Sequence, residues 1–377
     1  MRPVVTAVLA TCNRAELLRE ALDSVYAQEG QGDVFDLEVV VVDDASSDHT
    51  PDVVARYPAT YIKLDANQGV AVALNTAMAA SHGAYIGFLG DDDLWLPSRL
   101  RVQVPVFEAN PDVALIYSSH LRAGVEEVWN DLSGQIFEEL LKGNFISTIT
   151  VLVRQSALSQ VGDFEPSVAG TEDYDLWLRL AYHFRCLFVP GPLAVYRPSL
   201  GGLFKTTIAT GASRDIHRRI LKRALALIPD PSAETVQRMT DSMEYNNAKN
   251  LATLPSRLAL SQMLDHLDEY PRIARDPEIC AWIVWKAREE SVASPDPLGA
   301  AAVVCGRIER AVRDPRDARR VIGAVWTELA VGLARQRRPD QALRAAREAL
   351  RYDMVGFLGR SFAPLVRGKA KAGPATR

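Results

Sequence analysis

The order of apolar and polar positions divides the chain into two regimes. Up to about residue 206, short apolar runs alternate with amphipathic stretches, the pattern of a parallel sheet covered by helices. The runs predict strands over residues 4–10, 37–42, 60–64, 84–89 and 113–117. Between the first two, Leu18, Ala21, Leu22, Val25 and Tyr26 share one face of a helix that Asn13 is placed to cap, with Glu16 three positions later. Thr50-Pro51-Asp52 predicts a second helix with a cap, a proline in its first turn and an acid near its positive end. A third runs from about Val70 to Ser81, with Gly83 expected as its C-cap. Each helix returns the chain to a strand, which makes a repeated βα unit with right-handed crossovers.

Beyond that point strand signals all but vanish. Proline-punctuated helical windows cover residues 213–228, 232–268, 277–291, 297–312 and 316–352. Trp326, Leu329, Ala330, Leu333, Ala342, Ala346 and Ala349 have the spacing of one tetratricopeptide-type hairpin near 323–353. No earlier copy stands at a fixed period, so an all-helical domain with an alanine-rich contact is the other reading. The expected layout is an α/β domain over 1–210, a helical domain over 211–365 and a basic, flexible tail over 366–377.

Composition narrows the partners. With 377 residues, 48% of them hydrophobic, and a net charge of -4, the chain is neither a polyelectrolyte nor a basic nucleic-acid binder. Its apolar runs fall far short of the roughly 20 residues of a membrane-spanning helix. No basic segment followed by an apolar stretch opens it, so the expected location is cytoplasmic. Cys12, Cys186, Cys280 and Cys305 form no CxxC pair and read as buried small hydrophobes, and the six histidines show no HExxH spacing. Charge is unevenly spread: residues 1–212 carry 14 Lys+Arg against 27 Asp+Glu, leaving 29 against 20 for the remainder. The basic half admits a peripheral encounter with anionic lipid at the inner face of a membrane, or a protein partner, although a solvated face needs neither.

In an open parallel sheet ligands sit beyond the carboxyl ends of the strands. Three polar runs stand there: Thr11-Cys12-Asn13-Arg14, Asp43-Asp44-Ala45-Ser46-Ser47-Asp48, and Gly90-Asp91-Asp92-Asp93. Three consecutive carboxylates repel one another unless a cation or solvent relieves them. A hard divalent ion completed by phosphate oxygens is one explanation and an acidic turn ahead of the helix near Pro97 is the other.

Taken in order, TCNRAELLREALDSV, VVVVDDASSDHT, NQGVAVALNTAMAASHGAYIGFLGDDDLWLPSRL and GTEDYDLWLRL closely resemble the family 2 glycosyltransferases of GT-A fold, over roughly residues 3 to 205. The resemblance implies a nucleotide pocket lined by the backbone at Ala10 and Thr11, with Asp44 and Asp43 accepting from the base. Asn13, Arg14, Asn67, Gly69 and Asn75 fall in the same nucleotide-binding set. Asp91 and Asp92 match the DXD-like acids that hold ribose and metal, with Asp93 extending the run, and the cofactor implied is Mn²⁺ or Mg²⁺. Asp173, in the pair Glu172-Asp173, matches the base of an inverting transfer. A dipole-stabilised carboxylate in a first helical turn is the plainer reading of the same residue. Trp177, four residues on, is a candidate acceptor contact or a core side chain.

The implied donor is a nucleoside-diphosphate sugar, UDP- or dTDP-linked by preference. The implied acceptor is a saccharide, a lipid-linked saccharide or a small molecule. Leu74 stands where many relatives have an arginine, and Pro198-Ser199-Leu200 follows Tyr196-Arg197 where many have a histidine. Arg14 and Lys63 are the substitutes on offer for a phosphate contact, and Gly201, Gly202 and Lys205 read as a lid or a linker. Two rival classes are a non-catalytic nucleotide-sugar-binding scaffold acting through the helical half and a nucleotidyltransferase. The second calls for a glycine-rich, lysine-bearing loop after the first strand, which Thr11-Cys12-Asn13-Arg14 is not.

Overall fold

The computed structural model describes residues 1–197, 212–251, 256–269, 276–312 and 314–352. The 210/211 boundary, the glycine-lysine segment at 201–205 and the basic tail lie outside the described residues. The chain divides into two compact units, Met1–Met243 and Glu244–Arg377.

The first unit is built on one sheet whose strands lie in the order β3-β2-β1-β4-β8-β6-β9-β5, with β7 paired to β6. These are β1 (Val4–Thr11), β2 (Asp36–Asp43), β3 (Thr60–Lys63), β4 (Tyr85–Gly90), β5 (Leu94–Trp95), β6 (Val113–Arg122), β7 (Val125–Glu127), β8 (Leu152–Arg154) and β9 (Arg185–Tyr196). β3, β2, β1 and β4 are mutually parallel. β8 runs antiparallel to both β4 and β6, so β6 points the same way as β4, and β9 is parallel to β6. The carboxyl ends of β1, β2, β4, β6 and β9 therefore share one edge.

The five expected strands form. β8 and β9 were not legible as strands. β8 is three residues long, and β9 contains Pro190 and Pro192, which donate nothing to a ladder. The register shift between Ser118 and Ser119 is where β9 absorbs them.

Alternation along the strands separates two cores. Val5, Ala7 and Leu9 face α1 (Ala15–Tyr26) and α4 (Arg99–Ala109), in a cluster with Leu18, Leu22, Leu100 and Phe107. Val8, Val40 and Phe88 face the other way, with α3 (Val70–Ala79), α6 (Gln155–Val161) and α7 (Glu172–His183). Two short helices, α2 (Thr50–Val54) and α5 (Phe137–Leu140), complete the set before α8 (Ser213–Leu225) and α9 (Ala233–Leu251). Ile216, Ile220 and Ala224 of α8, and Met239 and Met243 of α9, join the second core, which extends this unit past the sheet.

Three local expectations change. Thr50 is the first residue of α2 and not its cap, a position held by His49. α1 is not capped by Asn13: its Ala15 amide donates to Asp48 Oδ2 at 3.1 Å, while Asn13 sits at φ 55° with its side chain turned to Ser47. The same Asp48 accepts from the Thr50 amide, so one acid serves the starts of two helices. Gly83 is not the cap of α3, which Ala80 caps; a Cβ at Gly83 would lie 2.7 Å from the Thr6 amide nitrogen, so glycine permits close approach to β1.

In the second unit, α10 (Ser256–Glu269), α11 (Pro277–Ala293), α12 (Pro297–Ala311), α13 (Pro315–Arg335) and α14 (Pro339–Tyr352) follow. Asp276, Asp296 and Asp314 each cap a helix that begins with proline. The windows 232–268 and 316–352 each prove to be two helices, the latter a hairpin turning at Gln336–Arg338 with Ala345 and Ala349 fully buried. Of the four cysteines, Cys186 and Cys305 are buried as expected, whereas Cys12 and Cys280 are half-buried. Among the described residues no helix is long and apolar enough to cross a membrane.

One buried cation organises the turn beneath the sheet edge. Arg99 is fully buried against the Trp95 ring, 4.0 Å from its centroid, and donates to the carbonyls of Ile149 and Val151. Its Nε donates to Gln103, which donates in turn to Thr150 O at 2.8 Å. Arg99→Met leaves those two carbonyls buried without their donor, and urea unfolding of the first unit is expected to show a loss of about 3 kcal/mol.

Candidate active site

The loops after β1 and β2 are tied to each other before any ligand is considered. Asn13 Oδ1 accepts from the Ser47 amide at 2.8 Å, and the Asn13 amide donates to Ser46 Oγ at 2.8 Å. Asp43, fully buried, accepts from the Ser46 amide at 2.7 Å and from the Tyr61 hydroxyl at 2.5 Å. Asp44 accepts from the amides of Gln68 (2.7 Å) and Gly69 (2.8 Å), which draws the start of α3 onto the end of β2. Gly69 stands at φ +88°, a conformation that favours glycine. Asn67 Nδ2 reaches Asp44 O at 3.3 Å, and Lys63 Nζ donates to Ser46 O at 2.7 Å. Asn75, expected at the nucleotide, instead clamps the Phe164 backbone through both ends of its amide, at 2.8 and 2.9 Å. A side chain with both ends spent on one backbone residue has little left for a phosphate.

Beside this pocket the acid run follows β4. Thr11 Oγ1 donates to Asp91 Oδ2 at 2.8 Å, and Arg14 Nη1 lies 3.0 Å from both Asp91 Oδ1 and Asp92 Oδ2. Burial lifts the Asp91 carboxyl above the ordinary range against the pull of Arg14 and Thr11. Two carboxylates that meet on one cation, Arg14, have the donor chemistry that would suit a hard divalent ion. Asp93 does not join them: its Oδ1 accepts from the Arg197 amide at 2.8 Å. Among the described residues no three His, Cys, Asp or Glu side chains converge as a metal set, so the three acids expected to hold a metal do not come together; only Asp91 and Asp92 meet at one point, on Arg14.

Asp93 turns into a cleft of about 230 Å³ that it shares with Ala10, Thr148, Gly170, Glu172 and Asp173. Glu172 and Asp173 occupy the first turn of α7, where the helix dipole favours acids. Asp173 Oδ2 accepts from Thr148 Oγ1 at 2.5 Å and from Asn144 Nδ2 at 3.4 Å, and its Oδ1 accepts from the Tyr174 amide at 2.7 Å. Desolvation outweighs these donors and raises the Asp173 carboxyl above its ordinary range. Burial likewise pushes Asp93 and Glu172 each up to about 7. Thr148 was not picked out individually from sequence. It belongs to the turn that Arg99 and Gln103 hold, so the buried cation acts on Asp173 through this hydroxyl.

Helix α7 is anchored from behind. Arg223 of α8 donates to Asp175 at 2.6 and 3.2 Å and to Glu165 at 2.9 Å, and Arg179 donates to Asp175 at 2.9 Å. Trp177 is fully buried between Phe88 and Phe164, with ring centroids 6.0 and 6.4 Å away. It presents no face to an acceptor and is a core residue. Since Glu172 is protonated in the folded state up to about 7, against an ordinary 4.5, its stabilising effect is complete at low pH and lost as pH rises through 7. Glu172→Gln is therefore expected to raise the melting temperature more at pH 8.5 than at pH 5.5, which scanning calorimetry at the two pH values checks.

Comparison with known proteins agrees with this geometry. Residues 6–159 match the profile of Glycosyl transferase family 2. An uncharacterised protein of Mycobacterium tuberculosis is 30% identical over 210 residues, covering 51% of this chain and 58% of that protein, so the chain spans little more than half the length of this relative. Among solved structures, Staphylococcus aureus TarS 1-349 in complex with UDP-GlcNAc superposes with a TM-score of 0.54 at 15% identity, covering 93% of this chain and 91% of that one. The mannosyltransferase PcManGT of Pyrobaculum calidifontis, in complex with GDP-Man and Mn²⁺, gives 0.51 at 21% identity, covering 93% and 88%. The parallel strands, the two acid-bearing strand ends after β2 and β4, and these likenesses give the N-terminal unit a GT-A fold whose residues 6–159 match glycosyl transferase family 2.

Proposed function

We propose that the chain is a metal-dependent inverting glycosyltransferase that moves a sugar from a nucleoside-diphosphate sugar to an acceptor hydroxyl, in polysaccharide or glycoconjugate biosynthesis. The observation that carries this reading is the single cleft in which Asp173, raised by burial and fixed by Thr148, faces the strand end bearing Asp91–Asp93. Nucleotide sugars are the ligands named for both solved relatives, which supports the donor class and leaves the base open among UDP, dTDP and GDP.

The base lies against the backbone of Ala10 and Thr11, with Asp43 or Asp44 accepting from it. Each of their oxygens keeps a second lone pair beside its internal bond. The diphosphate reaches toward Asp91, Asp92 and Arg14. Asp91 and Asp92 would hold a divalent ion, which would supply charge compensation for the departing diphosphate. Asp173 takes the proton of the acceptor hydroxyl. The acceptor oxygen bonds to the anomeric carbon from the face opposite the diphosphate, and the carbon–oxygen bond to the diphosphate breaks with its electron pair, which inverts the centre. Glu172 and the apolar wall of Val70, Leu74 and Phe164 limit water around that carboxylate.

Slow transfer of the donor sugar to water gives an assay that needs no acceptor. Asp173→Asn is expected to lower its turnover by about 10² to 10⁴-fold with donor affinity unchanged. An equal loss of donor affinity would assign Asp173 to binding instead. Because only the ionised carboxylate accepts a proton, kcat is expected to rise with pH through a limb above the ordinary aspartate range near 3.9, and to lose that limb in Asp173→Asn. Asp92→Ala is expected to weaken nucleotide binding at least about tenfold with Mn²⁺ present and little in chelator, measured by titration calorimetry.

A further inference from the structure

The β6–β7 hairpin carries a half-exposed tryptophan that the site described above does not use. Ala123 and Gly124, at φ 50° and 79°, form a tight two-residue turn whose twist matches the paired strands. Behind it, Trp129 is 50% exposed and stands edge-to-face on His120, with centroids 4.9 Å apart and planes at 86°. His120 is buried and stands in turn against Tyr196, 5.9 Å away, and Arg122 lies over the Tyr196 ring at 5.6 Å. Polar groups rim the indole. Trp129 Nε1 donates to Glu127 Oε2 at 3.4 Å, and Arg122 pairs with Glu127 at 3.7 Å. His120 Nε2 makes no hydrogen bond, with Glu127 Oε2 3.6 Å away and outside bonding range.

This platform adjoins the acid run. Arg122 pairs in register with Tyr196, and the next residue, Arg197, donates its amide to Asp93 Oδ1 and its Nε to Asp92 O. β6 and β9 end at the same sheet edge as β4. A large aromatic ring left half in water costs apolar exposure, and here a carboxylate, a guanidinium and an imidazole surround it instead of further aromatic side chains. An aromatic face with hydrogen-bonding groups on its rim matches a pyranose ring, which has an apolar C–H face and hydroxyls around its edge.

We propose that Trp129, flanked by Glu127 and Arg122, forms an acceptor subsite that stacks a sugar residue of a saccharide chain running along the carboxyl edge of the sheet. This rests on the glycosyltransferase reading and specifies its acceptor as an oligosaccharide or polysaccharide.

Affinity electrophoresis and titration calorimetry of the full chain with cellohexaose, maltohexaose, mannohexaose and chitohexaose test it, beside UDP and GDP with Mn²⁺. At least one glycan is expected to bind, with affinity about tenfold lower in Trp129→Ala and largely restored in Trp129→Phe, while nucleotide binding stays unchanged in both. Equal glycan affinity in Trp129→Ala, or no glycan bound by the unaltered chain, overturns the proposal. So does a change of oligomeric state in Trp129→Ala without any change in glycan binding, which would make the patch a protein interface. Trp129-dependent glycan binding by a chain that binds no nucleotide would keep the platform and discard the transferase reading.

Discussion

Seven carboxylates, Asp43, Asp44, Asp91, Asp92, Asp93, Glu172 and Asp173, gather at one edge of a single sheet or beside it, and their mutual repulsion is the constraint that the rest of the site answers. Each finds a donor: backbone amides for Asp43 and Asp44, Arg14 for Asp91 and Asp92, the Arg197 amide for Asp93, the Gly170 amide for Glu172, and Thr148 for Asp173. Where donors are fewer than burial demands, the carboxyl holds its proton to higher pH, as Asp93 and Glu172 do. The edge is thus preorganised for a ligand that brings cations or hydroxyl protons. A diphosphate with its metal and a sugar acceptor are ligands of that kind.

Rigidity comes from residues that never meet a ligand. Arg99 fixes the 148–150 turn through carbonyls of the residues on either side of Thr150, and Arg223 holds α7 by Asp175, two residues beyond Asp173. Asn75 pins Phe164 against the cleft wall. In this arrangement α8, which follows the sheet in sequence, belongs to the support of the Asp173 helix. The second unit is built by a different rule, with acid-proline caps starting three of its helices and an alanine contact closing its last hairpin.

The apolar runs of β1, β2, β4 and β6 were legible because each is flanked by polar residues that cannot continue it, and acids directly after two of them marked the carboxyl edge of the sheet. Glu172-Asp173 was singled out through its motif, and the structure sets the pair in the cleft that Asp93 also lines. Trp177 was ambiguous, since a tryptophan one turn from an acid has the same spacing whether it faces the core or the cleft, and only the positions of Phe88 and Phe164 decide. Asn13 looked like a cap because its distance to Glu16 fits one. The better acceptor, Asp48, lies 33 residues away in sequence from the amide it caps. Arg99 was not singled out, because its burial follows from long-range carbonyls that leave no trace in local pattern. Thr148 and Trp129 lie in stretches without periodicity, so their neighbours could not be named before the sheet order was known.

Hydrogen exchange with and without UDP, GDP or dTDP, each with Mn²⁺, tests the central claim most directly, because it reports where a nucleotide acts along the whole chain. The expected result is protection by at least one nucleotide in segments 10–14, 43–48, 66–70 and 90–93, the loops that meet at the carboxyl edge. Protection confined to residues 276–352, or none with any nucleotide, would contradict a donor site at that edge.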